Sequence, residues 1–551
     1  MFLVFLALSL VASAANTKSC KDPAAQSFLE KGMALQKDLE SDGALRAYSE
    51  CLEKEPACEA CRYESGWSFW KLGAWEDVVT TWEKVLEADP KNEDIPQYMI
   101  TARENLALVK AKKIPTSFVS GVELGKRSEP TEGPLSLLLL ARRQSYNPKP
   151  THPMDHFDKD IQSPKSVHFT LDGKKVYVNS LEGARTVVYN GAGLEKLSVI
   201  SHKFTKEEAG LFLDKKMPWG YSFPKAQKTP NEFYGKPVEL ELSHQGRYLW
   251  VPYYRRSFDA NGAMPSAMAV VDTESDKIVR VMPVGPISKY VKRSRTGRWM
   301  AVSHWGDNTV GLIDIRGKPE AFKYDQLLVV EKRVDPAKLT GDRDRNCGFC
   351  VRGLTFSEDD RPLIMTRMKG GGIATFRLNP KGSSPPVYLG TVFGLVPGPR
   401  DSVISSKGEL FVSCNASGVV ARVPWKNIVK ALEALPPGTA YEKRSVRVKP
   451  SDLGATITYV GLGARSIRLS HDEKTLFVTV NQTSELVGVS TKTMEMAARI
   501  PVDSYPVGLD LSPDDTQVWV TSQGRTAKGG NSVGIFQARY KTEEIVPAGH
   551  Q

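Results

Sequence analysis

Residues 466–481, SIRLSHDEKTLFVTVN, carry the pattern that decides the fold. A short apolar segment ends on a hydroxyl residue, Ser470, a polar turn follows, and a second segment of period two runs through Val480. Alternation on both sides of a tight polar turn predicts a β-hairpin. Six more copies precede or follow it: SVHFTLDGKKVYVNS (166–180), ELELSHQGRYLWVPY (239–253), YVKRSRTGRWMAVSH (290–304), GLTFSEDDRPLIMTR (353–367), SVISSKGELFVSCNA (402–416) and GLDLSPDDTQVWVTS (508–522). The anchoring hydroxyls are Thr170, Ser243, Ser294, Ser357, Ser405, Ser470 and Ser512. Recurrence every forty to seventy residues or so marks a radial or stacked array. Four-stranded blades at that spacing make a seven-bladed β-propeller, expected over residues 151–545. Function in such an array belongs to the ends of the central channel and to the loops between strands.

Aligning the copies on the hydroxyl exposes a second regularity. Five positions earlier stand Lys165, Val238, Lys289, Arg352, Arg400, Arg465 and Val507, so five of the seven are basic and none is acidic. Proline precedes four of them, as Pro164, Pro237, Pro399 and Pro506, and fixes the backbone there. Equivalent positions in a radial array lie on one circle. Lys165, Lys289, Arg352, Arg400 and Arg465 are therefore the candidate ligand-binding residues, forming an electropositive funnel for a carboxylate, a phosphate or an acidic protein loop. The competing reading is ion pairing between neighbouring blades. Two positions before the hydroxyl, Glu241 and Asp510 are acidic and Lys292 and Arg468 are basic.

The hairpin ends YVNS (177–180), FVTVNQ (477–482) and VWVTSQ (518–523), with the turns before them, resemble the bacterial YVTN β-propeller family over about residues 163–540. The resemblance implies a seven-bladed propeller, often exported. Relatives in that lactonase-like superfamily include lactonase-type enzymes, a DNA-binding periplasmic propeller and surface adhesins or scaffolds. No catalytic motif matches residue by residue, so no catalytic residue is carried over. Copies two and four depart from the pattern at Pro252 and Arg367.

Ahead of the propeller, residues 28–90 read as two helix-turn-helix repeats with a period of 34 residues, over 28–56 and 61–90. Gly32 and Gly66 stand 34 apart, as do Ala44 and Val78, Tyr48 and Trp82, and Pro56 and Pro90. This register resembles the tetratricopeptide repeat, with small residues where helices cross and Pro after each second helix. Asn92 is the expected cap of a further helix ending near Lys112. The helical head is bounded at 22–113, and residues 114–150 form a linker whose apolar run Leu137–Ala141 is the candidate strand to close the propeller ring. Its function reads either as a protein-binding groove or as a structural cap.

Phe2–Val11 is apolar and Ala12-Ser13-Ala14 follows, which predicts a signal peptide over residues 1–15 and a periplasmic or secreted protein. No other segment is long and apolar enough to span a bilayer. Residues 16–113 carry 14 Lys/Arg against 18 Asp/Glu, and the rest 60 against 45, so an acidic head (−4) precedes a basic body (+15). Such a body suits an anionic partner.

Seven cysteines fall at 20, 51, 58, 61, 347, 350 and 414. In an exported chain they predict structural disulfides, with Cys414 as a buried free thiol. Neither CxxC pair, Cys58/Cys61 or Cys347/Cys350, is followed by His, which excludes covalent haem attachment. Gly370-Gly371-Gly372 lacks the Lys and helix of a phosphate loop. His152, Asp155, His156 and Asp158 have metal-ligand side chains but lie in a proline-rich loop, and His304 is a candidate general base without a paired nucleophile in sequence. No cofactor, metal or catalytic residue is assigned. An insertion over 205–236 interleaves Lys215, Lys216, Trp219 and Tyr221, a composition that serves base stacking or an ordered loop laid across a blade.

These readings point first to a non-enzymatic binding scaffold of the cell envelope. Its funnel would hold an anionic ligand or partner, and its head would recruit a protein. The alternatives are a lactonase-like hydrolase at the channel mouth and a nucleic-acid-binding propeller.

Overall fold

The computed structural model describes residues 19–37, 41–72, 75–110, 120–131, 133–335, 347–382, 384–524 and 529–541. The expected signal peptide lies outside them. The chain divides into two compact units, one holding the N-terminal helices and the other the sheets.

The first unit contains helices α1 (Pro23–Lys37), α2 (Ser41–Lys54), α3 (Glu59–Leu72), α4 (Trp75–Ala88) and α5 (Ile95–Lys110). Asn92 caps α5, its Oδ1 accepting the N–H of Asp94 at 3.1 Å and of Ile95 at 3.0 Å. The 34-residue register has a direct packing cause. A Cβ on Gly32 would sit 2.3 Å from the Tyr48 ring, and one on Gly66 would sit 2.0 Å from Trp82 Nε1. Each glycine therefore admits the large buried ring of its own repeat.

The second unit is a seven-bladed β-propeller of seven antiparallel-cored sheets. The innermost strands neighbour one another in sequence, and the seventh packs against the first. Blade one is Pro164–Phe169, Lys175–Ser180, Arg185–Asn190 and Lys196–Ser201. Blade seven takes its first three strands from Pro506–Leu511, Gln517–Ser522 and Ser532–Tyr540. Its fourth is Leu135–Gln144, which pairs antiparallel with the third from Leu135↔Tyr540 to Gln144↔Ser532. The sheet that completes the circle thus joins both ends of the propeller sequence. Extra strands extend blade two (Lys203–Phe204 and Phe233–Pro237), blade four (Ser445–Arg447) and blade seven (Asp155–Phe157).

One turn mechanism recurs in the hairpins, except that Ser243 Oγ accepts from Trp250 Nε1 at 2.8 Å instead. Thr170 Oγ1 accepts the N–H of Lys175 at 3.0 Å and donates to Asp172 at 2.7 Å, while Asp172 accepts the N–H of Lys174 at 3.1 Å. Ser470 with Asp472 and Thr475, and Ser512 with Asp514 and Gln517, repeat these bonds. The recurring hydroxyl is a turn clamp that satisfies backbone donors locally.

Three residues past the hydroxyl, the backbone is left-handed in all seven copies: Gly173, Gly246, Gly297, Asp360, Gly408, Glu473 and Asp515. Where that residue is not Gly, its carboxylate bonds the turn of the preceding blade. Asp360 accepts the N–H groups of Arg295 at 2.6 Å and Thr296 at 2.7 Å. Glu473 accepts Ser406 N–H at 2.7 Å, and Asp515 accepts His471 N–H at 2.7 Å.

Between successive blades the apolar faces close on each other. Trp299, Leu312, Leu354 and Met365 form one such layer, and Val478, Val487, Phe411 and Val420 another. These faces supply the burial that holds the ring.

Candidate functional site

Each aligned cation is the second residue of its innermost strand: Lys165 in Pro164–Phe169, Lys289 in Ser288–Arg293, Arg352 in Val351–Phe356, Arg400 in Pro399–Ile404 and Arg465 in Ala464–Leu469. None has a register partner on the neighbouring strand, because the pairing slips there in all five blades. A bulge of this kind re-aims a side chain out of the regular pleat.

The bulge has a backbone cause. Two residues before each cation the backbone is left-handed, at Ser163, Ile287, Cys350, Gly398 and Gly463. The carbonyl of that residue accepts from the loop after the second strand, as in Trp305 N–H to Ile287 O at 3.0 Å and Asn415 N–H to Gly398 O at 3.0 Å. Hydroxyls of the preceding blade then fix the cation's own carbonyl. Thr521 donates to Lys165 O at 3.0 Å, Thr366 to Arg400 O at 2.8 Å and Ser413 to Arg465 O at 2.5 Å.

The five cations converge. Burial holds the Lys165 ammonium well below the usual lysine range, and Arg465, Lys289, Arg400 and Arg352 lower it further. Burial also lowers Arg400, with Arg465 and Arg352 adding to the effect. In Arg465 burial is opposed by Tyr505 and reinforced by Arg352. Lys165, Lys289 and Arg400 are half-buried, whereas Arg352 and Arg465 are only 3% and 4% exposed.

Compensation within the ring is sparse. Arg352 reaches Glu239 at 3.8 Å, but among the described residues no carboxylate lies within ion-pair distance of Lys165, Arg400 or Arg465. Arg352 Nη1, Arg400 Nε and Arg465 Nε are buried without a hydrogen-bond acceptor among the described residues. Neighbouring groups shape the ring instead. Lys289 Nζ lies 4.0 Å from the Tyr254 ring centre and 5.1 Å from that of Trp305. Arg400 touches Met368 Sδ at 3.2 Å, and Arg465 lies over Tyr505 at 5.5 Å. The two remaining positions, Val238 and Val507, are buried.

Inter-blade ion pairing does occur, three residues further along the same strands. Lys292 pairs with Glu241 at 2.9 Å, and Arg468 lies 3.6 Å from Asp510 and 3.8 Å from Asp401. His168 meets Asp510 at 2.6 Å. The two sequence readings of the charged circle thus divide between two layers. Glu239 and Asp401, four residues before their hydroxyls, are the site neighbours that sequence reasoning missed, although the same alignment holds them. Burial raises the Glu239 carboxyl, with Arg352 and Arg468 opposing.

The other candidates are engaged elsewhere. Asp155 pairs with Arg142 at 2.5 Å, and Asp158 accepts from Tyr189 at 2.7 Å and Lys196 at 2.8 Å. His152 Nδ1 accepts Met154 N–H at 3.1 Å. His304 is buried, bonded through Nδ1 to Thr309 at 2.8 Å, and near Tyr221 Oη at 3.2 Å. Burial, aided by Arg333, pushes its pKa down to about 3, which leaves it a poor proton acceptor near neutrality. A general-base role for His304 is corrected on that ground.

Tyr221 is also buried and donates to Asp307 at 2.7 Å. Trp219 packs over Gly311, where a Cβ would come within 2.3 Å of its ring. Trp219 and Tyr221 of the insertion are thus folded onto the third blade.

The described residues contain disulfides Cys20–Cys58, Cys51–Cys61 and Cys347–Cys350, and Cys414 is a buried free thiol. Cys58 and Cys61 therefore pair outside their own CxxC. The four sulfurs of the head lie within 4.8 Å of one another, the only grouping of metal-capable side chains among the described residues.

No protein-family model matches the chain. No curated protein matches it either. Among solved structures, hydrazine synthase of Kuenenia stuttgartiensis aligns with a TM-score of 0.46 at 11% identity, covering 71% of this chain and 100% of that one. The Cps50 (Swd1) β-propeller domain of Myceliophteria thermophila aligns with a TM-score of 0.45 at 11% identity, covering 68% and 96%. A functionally unknown protein of Desulfotomaculum acetoxidans aligns with a TM-score of 0.40 at 13% identity, covering 62% and 86%.

Proposed function

We propose that this protein is a non-enzymatic binding scaffold whose propeller takes an anionic ligand, or an acidic segment of a partner, at Lys165, Lys289, Arg352, Arg400 and Arg465. One observation carries the reading: the cations converge while buried guanidinium N–H groups of Arg352, Arg400 and Arg465 lack acceptors among the described residues. Buried donors without partners are costly, so an anion that satisfies them gains both charge compensation and hydrogen bonds. The ion-paired layer beside the ring contributes rigidity rather than binding.

We also read the helical unit as a tetratricopeptide-like protein-docking element, supported by the matched Gly32/Tyr48 and Gly66/Trp82 packing. The blades are read as YVTN-like on their shared turn chemistry. Export to the periplasm or cell exterior belongs to the same proposal, supported by the leader-like N-terminal sequence and by the disulfides. Among the described residues no helix is long and apolar enough to cross a membrane.

The test is equilibrium binding of the full chain to citrate, phosphate and an acidic peptide, with alanine at all five ring positions as control. Binding by the natural chain that weakens with salt and disappears in the variant supports the reading. Failure of every anion to bind, or binding equal in the variant, overturns it.

A further inference from the structure

The ring is not uniform around the circle. Its cations occupy four consecutive blades, three to six, as Lys289, Arg352, Arg400 and Arg465. Lys165 stands alone on blade one, flanked by Val507 of blade seven and Val238 of blade two. Three arginines therefore stand on adjacent blades; Arg465 and Arg352 add to the lowering of Arg400 by burial, and Arg352 adds to that of Arg465. Val507 and Val238 are buried on either side of Lys165, and the half-buried Tyr505 lies against Arg465.

Resting on the anion-binding reading above, we propose that the arc Arg352–Arg400–Arg465 is a clasp for a tetrahedral oxyanion, the phosphoryl group of an organic phosphate. The organic body of that ligand faces the half-buried ring of Tyr505 beside Arg465.

Chemistry favours phosphoryl over a single carboxylate. A guanidinium offers a planar fork of donors that suits two oxygens at once. Three forks from consecutive blades call for a group with three terminal oxygens on one centre. A phosphate monoester carries close to two negative charges near neutrality, whereas a carboxylate carries one. Arg352 Nη1, Arg400 Nε and Arg465 Nε, buried without acceptors among the described residues, are the donors left to bind those oxygens. Glu239, at 3.8 Å from Arg352, compensates only one member of the arc. The Tyr505 ring gives an organic phosphate a contact that inorganic phosphate lacks.

The experiment is calorimetric titration of the full chain with inorganic phosphate, phenyl phosphate, acetate and citrate. Arg352→Lys, Arg400→Lys and Arg465→Lys are compared with the natural chain, because lysine keeps the charge and removes the fork. The expected result is measurable phosphate binding, phenyl phosphate tighter by about tenfold, no acetate binding, and a loss of roughly tenfold in each lysine variant. Variants that fail to fold are replaced by Tyr505→Ala, expected to weaken phenyl phosphate more than inorganic phosphate. Binding of citrate or an acidic peptide without phosphate overturns the clasp and leaves the anion-binding reading intact. Absence of binding by every anion overturns both. Equal affinity for inorganic and phenyl phosphate overturns the organic half of the proposal.

Discussion

Cys350 stands two residues before Arg352, turns the chain with a φ of +55° and is tied to Cys347 by a disulfide. The disulfide packs with Ile287, Trp305 and Met368. Trp305 also faces Lys289, and Met368 also touches Arg400. One covalent link thus abuts the supports of three ring cations. In the equivalent place the fifth and sixth blades use Gly398 and Gly463, which reach a left-handed φ without strain.

Replacing Cys347 and Cys350 together by serine should weaken anion binding while leaving the propeller folded. Titration of the double variant beside circular dichroism checks this. Unchanged affinity would mean that the lead-in turn needs no staple.

Lys165 gives a pH prediction. Burial and its cationic neighbours lower its pKa in the folded state. Between that lowered value and the ordinary lysine pKa near 10.4, the unfolded chain binds more protons than the folded one, so stability rises with pH across the window. Urea unfolding without added anion should show this slope, and Lys165→Met should flatten it.

His202 and His304 act in the acid range with the same sign. Burial pushes both pKa values down to about 3. As pH falls from about 6.5 towards 3, the unfolded chain gains protons that the folded chain refuses, and stability is lost. Each imidazole contributes on the order of 3–5 kcal/mol by the low end of that range. Acid unfolding of His202→Phe should move to lower pH if its bonds to Thr186 at 2.8 Å and Tyr253 at 3.0 Å are the lesser effect.

Asp360 links blades three and four through the N–H groups of Arg295 and Thr296. Asp360→Ala removes both acceptors and places a Cβ residue without a polar side chain at a left-handed φ, costing about 2–4 kcal/mol. Asp360→Asn keeps one acceptor and tolerates that backbone, so it should cost less. Chemical denaturation of the two variants separates these contributions.

Much of this architecture was legible in the sequence because its causes are local. Thr170, Ser470 and Ser512 bond residues within five positions, so each copy shows its own turn. The cation circle was legible because one structural position recurs at one offset from those hydroxyls. The bulge that aims the cations was not. Ser163, Ile287 and Cys350 adopt a left-handed backbone that their side chains do not announce, held by carbonyl bonds to a distant loop. The pairing Cys20–Cys58 was hidden for a similar reason, since its partners are 38 residues apart and meet only through helix packing. His304 misled as a candidate base because exposure, which decides its chemistry, is set by Trp219 and Tyr221 from the insertion.

Gly66→Ala tests the head by itself. The added methyl would meet Trp82 at 2.0 Å from Nε1, and overpacking of this kind costs about 1–3 kcal/mol. Loss should appear in the unfolding of the helical unit and spare the propeller transition.

The most direct measurement compares melting of the natural chain with that of a variant carrying Met at Lys165, Lys289, Arg352, Arg400 and Arg465, each with and without phosphate. If the ring awaits an anion, the natural chain gains stability on addition of phosphate. The neutral variant is then at least as stable without phosphate and indifferent to it. A variant that loses stability without phosphate, beside a natural chain that phosphate does not stabilise, would show the five cations to be structural partners and contradict the account.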